Sequence, residues 1–378
     1  MIDWRKEWFE IEDAVFLNAA GQAPMPRAAI RATLQALEWK KFPHHIPEPE
    51  YFELPGRVRA LLARLIGAQP EEIALSSGAS GGMQVVANRL ELRSGHEILI
   101  AQGEFPAHFA TWLPMQAAAG VRVKVVAPHG RFITADDFLE QITPRTRLIS
   151  ASLVRYNDSA RLDARRVADA VHAVGGYLLL DASQCAGAMP MTVESLGCDF
   201  LVAAGYKWLL SPYGTGFLWV RSNVMEKMRE GPVYWQSLED AGKFHSLSSG
   251  GHGHAKSALR WDSPETASFF NLAAMEASLE FIHRVGVETI WQHNRALIED
   301  LIRRLPLDRC VLGSPPEADA RGPYVCVQSR KPGGGPALYE KLQKANIIIS
   351  LRDGALRVSP HLYNSERDVD RLLTVLTV

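Results

Sequence analysis

Cysteine is scarce in this chain. Only Cys185, Cys198, Cys310 and Cys326 carry a thiol among 378 residues, and no C-x-x-C occurs. Neither a zinc ribbon nor a thioredoxin-type pair is therefore written into it. A chain this long buries enough apolar surface to need no disulfide framework. An excess of charge of either sign is also missing: 41 Lys and Arg face 42 Asp and Glu, a formal net charge of −1. Nucleic-acid binding calls for a basic surface, and so does a polybasic membrane patch, so neither is the expected partner. Long apolar runs are absent too. The longest stretch free of Asp, Glu, Lys and Arg, Phe105 to Val121, contains two prolines and a histidine, which makes a poor membrane span. The opening M-I-D-W-R-K-E-W-F-E is too charged for a secretory signal. The expectation is a cytoplasmic enzyme of two or three domains, on a prior of roughly 150 residues per domain.

What is present is an alternation of apolar runs and amphipathic stretches. Glu97–Ala101, Val121–Ala127, Arg147–Leu153, Gly176–Leu180 and Phe200–Ala203 read as short buried strands. Helical segments stand between them: Gly82–Leu90, Pro106–Ala119, Ala135–Gln141 and Asp163–Val174, the last with a stripe of Val167, Ala170, Val171 and Val174. Such alternation predicts an α/β layer with a mostly parallel sheet. After residue 221 the pattern changes. Lys243 to Arg260 is rich in Gly, Ser and His without a period and reads as a loop. Long helices are expected over Pro264–Val285 and Val287–Arg304. Short strands at Tyr324–Val327, Ile347–Leu351 and Ala355–Val358, with helices at Pro336–Ala345 and Ser365–Leu376, make a smaller α+β part.

The chemistry concentrates at two strand ends. In L-L-L-D-A-S-Q-C a buried strand ends in Asp181, where open α/β sheets bind ligands. By itself such an Asp could equally cap the following turn. Lys207 follows another buried strand, in G-Y-K-W-L-L-S-P-Y-G-T-G, a stretch with almost no other charge. An isolated lysine usually snorkels to water. A lysine held where its charge is poorly solvated suits Schiff-base chemistry, and its pairing with a strand-end Asp favours that reading.

These paired motifs, D-A-S-Q and G-Y-K-W-L, resemble those of the class V aminotransferase superfamily of fold-type I pyridoxal-phosphate enzymes. That group includes cysteine desulfurases, kynureninases and isopenicillin N epimerase-like proteins, and the resemblance runs from about Phe16 to Leu376. It implies a three-layer transferase fold with a mostly parallel central sheet plus a smaller α+β C-terminal domain. The expected division is an arm over 1–20, a large cofactor domain over 21–245 and a small domain over 246–378. The resemblance implies pyridoxal 5′-phosphate as cofactor, with Lys207 forming the internal aldimine. Asp181 would keep the pyridine nitrogen protonated, which makes the ring an electron sink. Gln184 would donate to the ring's phenolic oxygen. Tyr206 matches a phosphate-contacting position of kynureninase-like members, where desulfurases usually carry His.

In I-A-L-S-S-G-A-S-G-G-M-Q-V-V, Ala79 and Ser80 match the phosphate contacts at a helix N-terminus. In E-F-P-A-H-F, Phe105 would stack on the cofactor ring, with core packing as the competing reading, whereas His108 is expected to cap or line its helix. In R-Y-N-D-S-A-R, Asn157 is the preferred residue near the ring oxygen and the substrate carboxylate, with Asp158 as the other register. Arg161 matches a common family arginine. In A-L-R-V-S-P-H-L-Y-N, Arg357 would grip the carboxylate of an amino-acid substrate through two parallel hydrogen bonds. Thr266, in R-W-D-S-P-E-T, matches a residue that reaches the neighbouring subunit's phosphate, which implies a homodimer with shared active sites. Asn18, Ala19 and Ala20, in F-L-N-A-A-G-Q, would line the substrate side. His245, His252 and His254 have no acidic or Cys companion, and no metal is expected.

The resemblance leaves the reaction open among transamination, elimination by a C–S lyase (cysteine, selenocysteine or hercynylcysteine sulfoxide lyase-like) and epimerisation. A desulfurase needs a reactive thiolate shortly before the carboxylate-binding arginine, and no cysteine follows Cys326. Cys185 is expected to pack under the sheet. Two readings of other kinds stand beside these. A nicotinamide oxidoreductase lacks the required G-x-G-x-x-G after a first strand. A binding-only relative would not depend on Lys207.

Overall fold

Strands that bury both faces carry apolar residues at every position. The computed structural model, which describes residues 3–230, 234–239, 241–242, 253–266 and 268–377, assembles seven strands into one sheet, all largely buried except one at its edge. After a two-residue strand β1 (Val15–Phe16) come β2 (Ile73–Ser76), β3 (Glu97–Ala101), β4 (Arg122–Val126), β5 (Thr146–Ser152), β6 (Tyr177–Asp181), β7 (Phe200–Ala204) and β8 (Gly216–Val220). The sheet order is β2-β8-β7-β6-β5-β3-β4. β8 runs antiparallel to both neighbours, and all other pairs are parallel.

Successive side chains of a strand go to opposite faces. Leu99, Ile149, Leu178, Leu180 and Leu201 share one apolar cluster with Val58 and Leu62 of helix Glu50–Ile66 and Val167 of helix Ala164–Ala173. Ile98, Ile100, Leu148, Leu179 and Val202 share another with Met83 and Val86 of helix Ala79–Arg89 and Trp112 of helix Pro106–Trp112. Helices thus cover both faces, giving the expected three layers around a mostly parallel sheet.

A second sheet follows: β9 (Cys310–Leu312), β10 (Val325–Ser329), β12 (Ser350–Arg352) and β13 (Ala355–Val358), antiparallel in the order β12-β13-β10-β9, with β11 (Ile347–Ile348) outside it. Leu297, Leu342 and Leu372 of three helices pack with Val325, Leu356 and Val358 into its core. β1 pairs in parallel with β11, and the chain beyond it bridges Asn18 to Ser359. The N-terminal segment is thereby laid against this second sheet.

Several expectations shift. The helix expected over Pro106–Ala119 is two, Pro106–Trp112 and Pro114–Ala119, because Pro114 has no N–H for the helical ladder. The strand expected over Ile347–Leu351 divides between two partners, β11 with β1 and β12 with β13. The helix expected from Pro264 begins at Phe269, since Glu265 takes a positive φ of 59° in the preceding loop. Strand β8, helix Arg27–Lys41 and helix Glu50–Ile66 are additions to the elements expected. Most of the Lys243–Arg260 stretch, His245 and His252 included, lies outside the described residues. No helix among the described residues is long and apolar enough to cross a membrane.

Gly216 opens β8 where the sheet closes on the loop after β2. A Cβ there would come within 2.5 Å of the Ala203 carbonyl oxygen and 2.6 Å of Gly78 Cα. Both obstacles are backbone. Gly216→Ala is therefore expected to destabilise the protein by about 1–3 kcal/mol, read as a lower midpoint in denaturant unfolding.

Candidate active site

The strands β2, β3, β5, β6 and β7 point the same way, so the loops leaving their carboxyl ends gather on one sheet edge. Ligands of open α/β sheets bind along such an edge. Those loops carry Ala79 and Ser80, Glu104 and Phe105, Tyr156 and Asn157, Asp181 and Gln184, and Tyr206 and Lys207 in turn.

Asp181 is the last residue of β6 and is buried. Its Oδ1 accepts the Ser183 N–H at 2.8 Å, and Ser183 Oγ accepts the N–H of Ala204, the last residue of β7, at 2.9 Å. These bonds stitch the end of one strand to the next, three residues before Lys207. Lys207 is 6 % exposed. Its Nζ lies 5.3 Å from the centre of the Phe105 ring and 5.6 Å from that of Tyr206. Burial lowers its pKa to about 8; the charge of Asp181 opposes this shift, while Arg357 and Arg352 add to it. An amine so placed is easily made neutral.

The second sheet supplies the opposite wall. Arg357 of β13 is buried, donates from Nη1 to the Tyr156 carbonyl at 2.9 Å and from Nη2 to Ser350 Oγ at 3.4 Å, and has no carboxylate within ion-pair distance among the described residues. Its Nε is buried without a partner. Burial pulls its pKa below the usual guanidinium value. Ser350 Oγ donates in turn to Asn18 Oδ1 at 2.6 Å. Ala20 N–H donates to Ser359 Oγ at 3.1 Å, and the Ala20 carbonyl accepts Gln184 Nε2–H at 3.2 Å. Ala19 N–H bonds the Ser359 carbonyl. Gln184 Oε1 accepts the indole N–H of Trp208 at 3.3 Å. One connected set of hydrogen bonds thus joins the N-terminal segment, both sheets and the loop after β6.

Of the two registers after β5, Asp158 is already engaged. It accepts the Ala160 N–H at 2.8 Å and lies 3.6 Å from Arg155 Nε. Asn157 keeps a buried Oδ1 with no partner, while its Nδ2 donates to Asp353 at 3.4 Å. The Phe105 ring meets Tyr156 edge-on at 5.3 Å, and Tyr206 packs on Tyr213 at 4.5 Å.

Ala79, Ser80 and Thr266 stand apart from this set. Ala79 and Ser80 begin helix Ala79–Arg89 behind Gly78, whose φ of 143° suits glycine. Ser80 is exposed. Thr266 lines a cavity of about 260 Å³ with Ser76, Ser77, Gly214 and Asn271, and its hydroxyl donates to the Ser263 carbonyl at 2.5 Å. No hydrogen bond or ring contact among the described residues links these three to Lys207. Arg161 is exposed and makes no ion pair among them.

Sequence reasoning passed over several residues. Ser350 stands directly across from Arg357, and the Asp353-Gly354 pair between them was the available hairpin signal. Glu104 is fully buried and accepts Ser152 N–H at 2.8 Å and Ser152 Oγ–H at 2.6 Å. Opposing its burial, the charge of Arg155 and these bonds keep its carboxyl below the ordinary range. His108 neither caps its helix nor merely lines it: its Nδ1 is 2.8 Å from Ser150 Oγ, and its Nε2 is 3.8 Å from Glu104 and 3.9 Å from Asp181.

All four thiols are buried. Burial raises the pKa of Cys185, Cys198 and Cys310, and pushes Cys326 up to about 12. The Cys326 thiol donates to the Asn157 carbonyl at 3.1 Å.

Known proteins share this architecture. Isopenicillin N epimerase of Streptomyces clavuligerus is 26 % identical over 96 % of this chain and 94 % of its own. The uncharacterized aminotransferase YcbU of Bacillus subtilis (strain 168) is 26 % identical over 85 % and 82 %. Among solved structures, the complex between the cystine C-S lyase C-DES and its reaction product cysteine persulfide superposes with a TM-score of 0.88 at 22 % identity, over 96 % of this chain and 97 % of that one. The model of the family Aminotransferase class-V matches residues 15–372. The chain belongs to the class-V aminotransferase family, whose cofactor is pyridoxal 5′-phosphate.

Proposed function

We propose that this chain works at the α-carbon of a small amino acid as a class V aminotransferase-like enzyme, with Lys207 as the Schiff-base residue. The observation that carries the reading is the buried Lys207 amine. It lies against the faces of Phe105 and Tyr206, with Asp181 on the neighbouring strand end and a buried Arg357 that has no carboxylate within ion-pair distance among the described residues.

The residues present suit pyridoxal phosphate. The unspent buried Asn157 Oδ1 and Arg357 Nε are groups a bound molecule would satisfy. When bound, the cofactor supplies an aldehyde for amines and a protonated pyridine ring that accepts an electron pair. Asp181 would hold the proton at the ring nitrogen, Phe105 would cover one ring face and Gln184 would donate to the phenolic oxygen. Ala79 and Ser80, at a helix N-terminus, would hold the phosphate with Tyr206, and Thr266 of the partner subunit would complete that cradle in a homodimer. Arg357 and Asn157 would orient the substrate carboxylate, beside Asn18 and Ala20. Lys207 takes the Cα proton and returns it, which requires an amine close to neutrality.

The division into an arm over 1–20, a cofactor domain over 21–245 and a small domain over 246–378 is supported by the two sheets, each lying within its range. The pairing of β1 with β11 ties the arm to the last of these.

One observation narrows the second reading, elimination, to a lyase without a persulfide-forming thiol. Every cysteine is buried, with its thiol held in the protonated form, so a protein-bound persulfide has no nucleophile to start from. A C–S lyase needs no such thiol, and neither does transamination.

Borohydride treatment of the holoenzyme is expected to bleach its colour and leave a pyridoxyl adduct on the Lys207 peptide by mass spectrometry. Lys207→Ala should lose both the adduct and turnover. An adduct on another lysine, or turnover unaffected in that variant, overturns the reading. With apoprotein and pyridoxal phosphate, the rate of holoenzyme formation should rise with pH and level off above about 8, because the amine must lose its proton to react and burial lowers its pKa to that value. A rate still climbing toward 10.5, the ordinary lysine value, would count against it. In a panel of amino acids, accumulation of pyridoxamine phosphate selects transamination; pyruvate with ammonia or sulfide selects elimination.

A further inference from the structure

Nothing in the chemistry above uses His108, yet its ring is held in a defined way. It sits fully buried in helix Pro106–Trp112. Ser150 Oγ accepts the indole N–H of Trp112 at 2.8 Å and lies 2.8 Å from His108 Nδ1. A serine hydroxyl has one proton to give, and Ser150 Oγ has no other hydrogen-bond partner among the described residues. That proton therefore goes to Nδ1, and a neutral imidazole keeps its own on Nε2.

Nε2 is buried and has no hydrogen-bond partner. Two buried carboxylates flank it, Glu104 Oε2 at 3.8 Å and Asp181 Oδ2 at 3.9 Å. They are not equivalent. Glu104 already accepts from Ser152 N–H, Ser152 Oγ and Phe105 N–H, and faces Arg155 Nη1 at 3.6 Å. Among the described residues the Asp181 side chain accepts only at Oδ1, from Ser183. The open acceptor for the Nε2 proton is thus Asp181 Oδ2. An unpaired polar group at this depth costs free energy, which a movement of under 1 Å relieves by bringing Nε2–H into hydrogen-bond range of Oδ2.

We propose that His108 is a positioning residue for Asp181. It donates from Nε2 to Oδ2, fixes the carboxylate that would face the cofactor nitrogen, and is itself fixed by Ser150 at Nδ1 with Glu104 behind it. The inference rests on the reading of Asp181 as partner of that nitrogen. Asp181 is held from two sides, by the Ser183 backbone on one oxygen and by an imidazole on the other.

The test uses His108→Phe, which keeps a ring and removes the donor, and His108→Gln, which restores an N–H. In the holoenzyme, H108F is expected to bind pyridoxal phosphate about 10- to 100-fold more weakly, the worth of a hydrogen bond to a charged group. It should also move the pH midpoint of the bound cofactor's visible band, and H108Q should recover most of both. A purely structural role would move neither the band nor respond to Gln. Wild-type affinity and an unmoved band in folded H108F overturn the proposal. If H108F does not fold, ¹⁵N-histidine NMR of the wild-type apoprotein decides: a proton on Nε2 with bare Nδ1 supports it, and the reverse tautomer overturns it. A wild-type protein that takes up no pyridoxal phosphate at all would instead sink the proposed function, while the tautomer would still report on His108.

Discussion

A buried amine beside a buried carboxylate normally closes into an ion pair, and here that closure is prevented. Asp181 ends β6 and Lys207 follows the end of the neighbouring β7 by three residues, yet no contact within 4 Å joins them among the described residues. Asp181 is tied to Ser183, and the Lys207 nitrogen lies over aromatic faces instead. A closed pair would fix the amine as ammonium. Held apart, the carboxylate only partly offsets the cost of burial, and the two arginines, Arg357 and Arg352, work against the charged form. The parallel register of β6 and β7 sets this distance, because Asp181 stands opposite Val202, five residues before Lys207. The bond from Ser183 to Ala204 keeps the two strand ends from sliding.

The second sheet answers the first with a cation of its own. A buried guanidinium without a carboxylate is costly unless other groups serve it. Arg357 draws on a backbone carbonyl, the Ser350 hydroxyl and the face of Tyr324 at 5.7 Å. None of these neutralises it, so the charge stays available to an anion. The N-terminal segment matters for the same reason. By pairing β1 with β11 and bridging Asn18 to Ser359, it delivers Asn18 to Ser350 and Ala20 to Gln184. Residues more than 300 positions apart in the chain thus form one wall.

β3, β6 and β7 were legible because they are nearly unbroken apolar runs, and the expected limits of β3 agree with those observed. β8 is equally apolar, but it follows β7 by the eleven-residue loop that carries Lys207, with no helix between, and reverses direction, which a strand–helix alternation does not signal. Helix Arg27–Lys41 buries only Ala29 and Ala36 and exposes Leu34 and Leu37, so its apolar stripe points partly to the surface and gives no clean period. Asp181, Lys207 and Arg357 could be singled out because a charge at the end of a buried run stands out. His108 could not. Its environment comes from Ser150 on β5, Asp181 on β6 and the helix start at Glu104, and no local spacing reports that three-way meeting.

The hairpin of β12 and β13 is closed by a two-residue turn. Its turn is Asp353-Gly354, with φ of 48° and 79°, and two positive angles make the tight reversal that suits twisted strands. Arg352 pairs directly with Ala355 across it, so no loop extends from this point toward Lys207. The thiol nearest to Arg357 is then Cys326, its partner in register on β10. Proximity to a guanidinium lowers a thiol's pKa, but burial acts the other way and is the larger effect, leaving it near 12. The bond to the Asn157 carbonyl uses the proton that a nucleophile would have to lose. Cys326 therefore serves to pack β10 against the loop after β5.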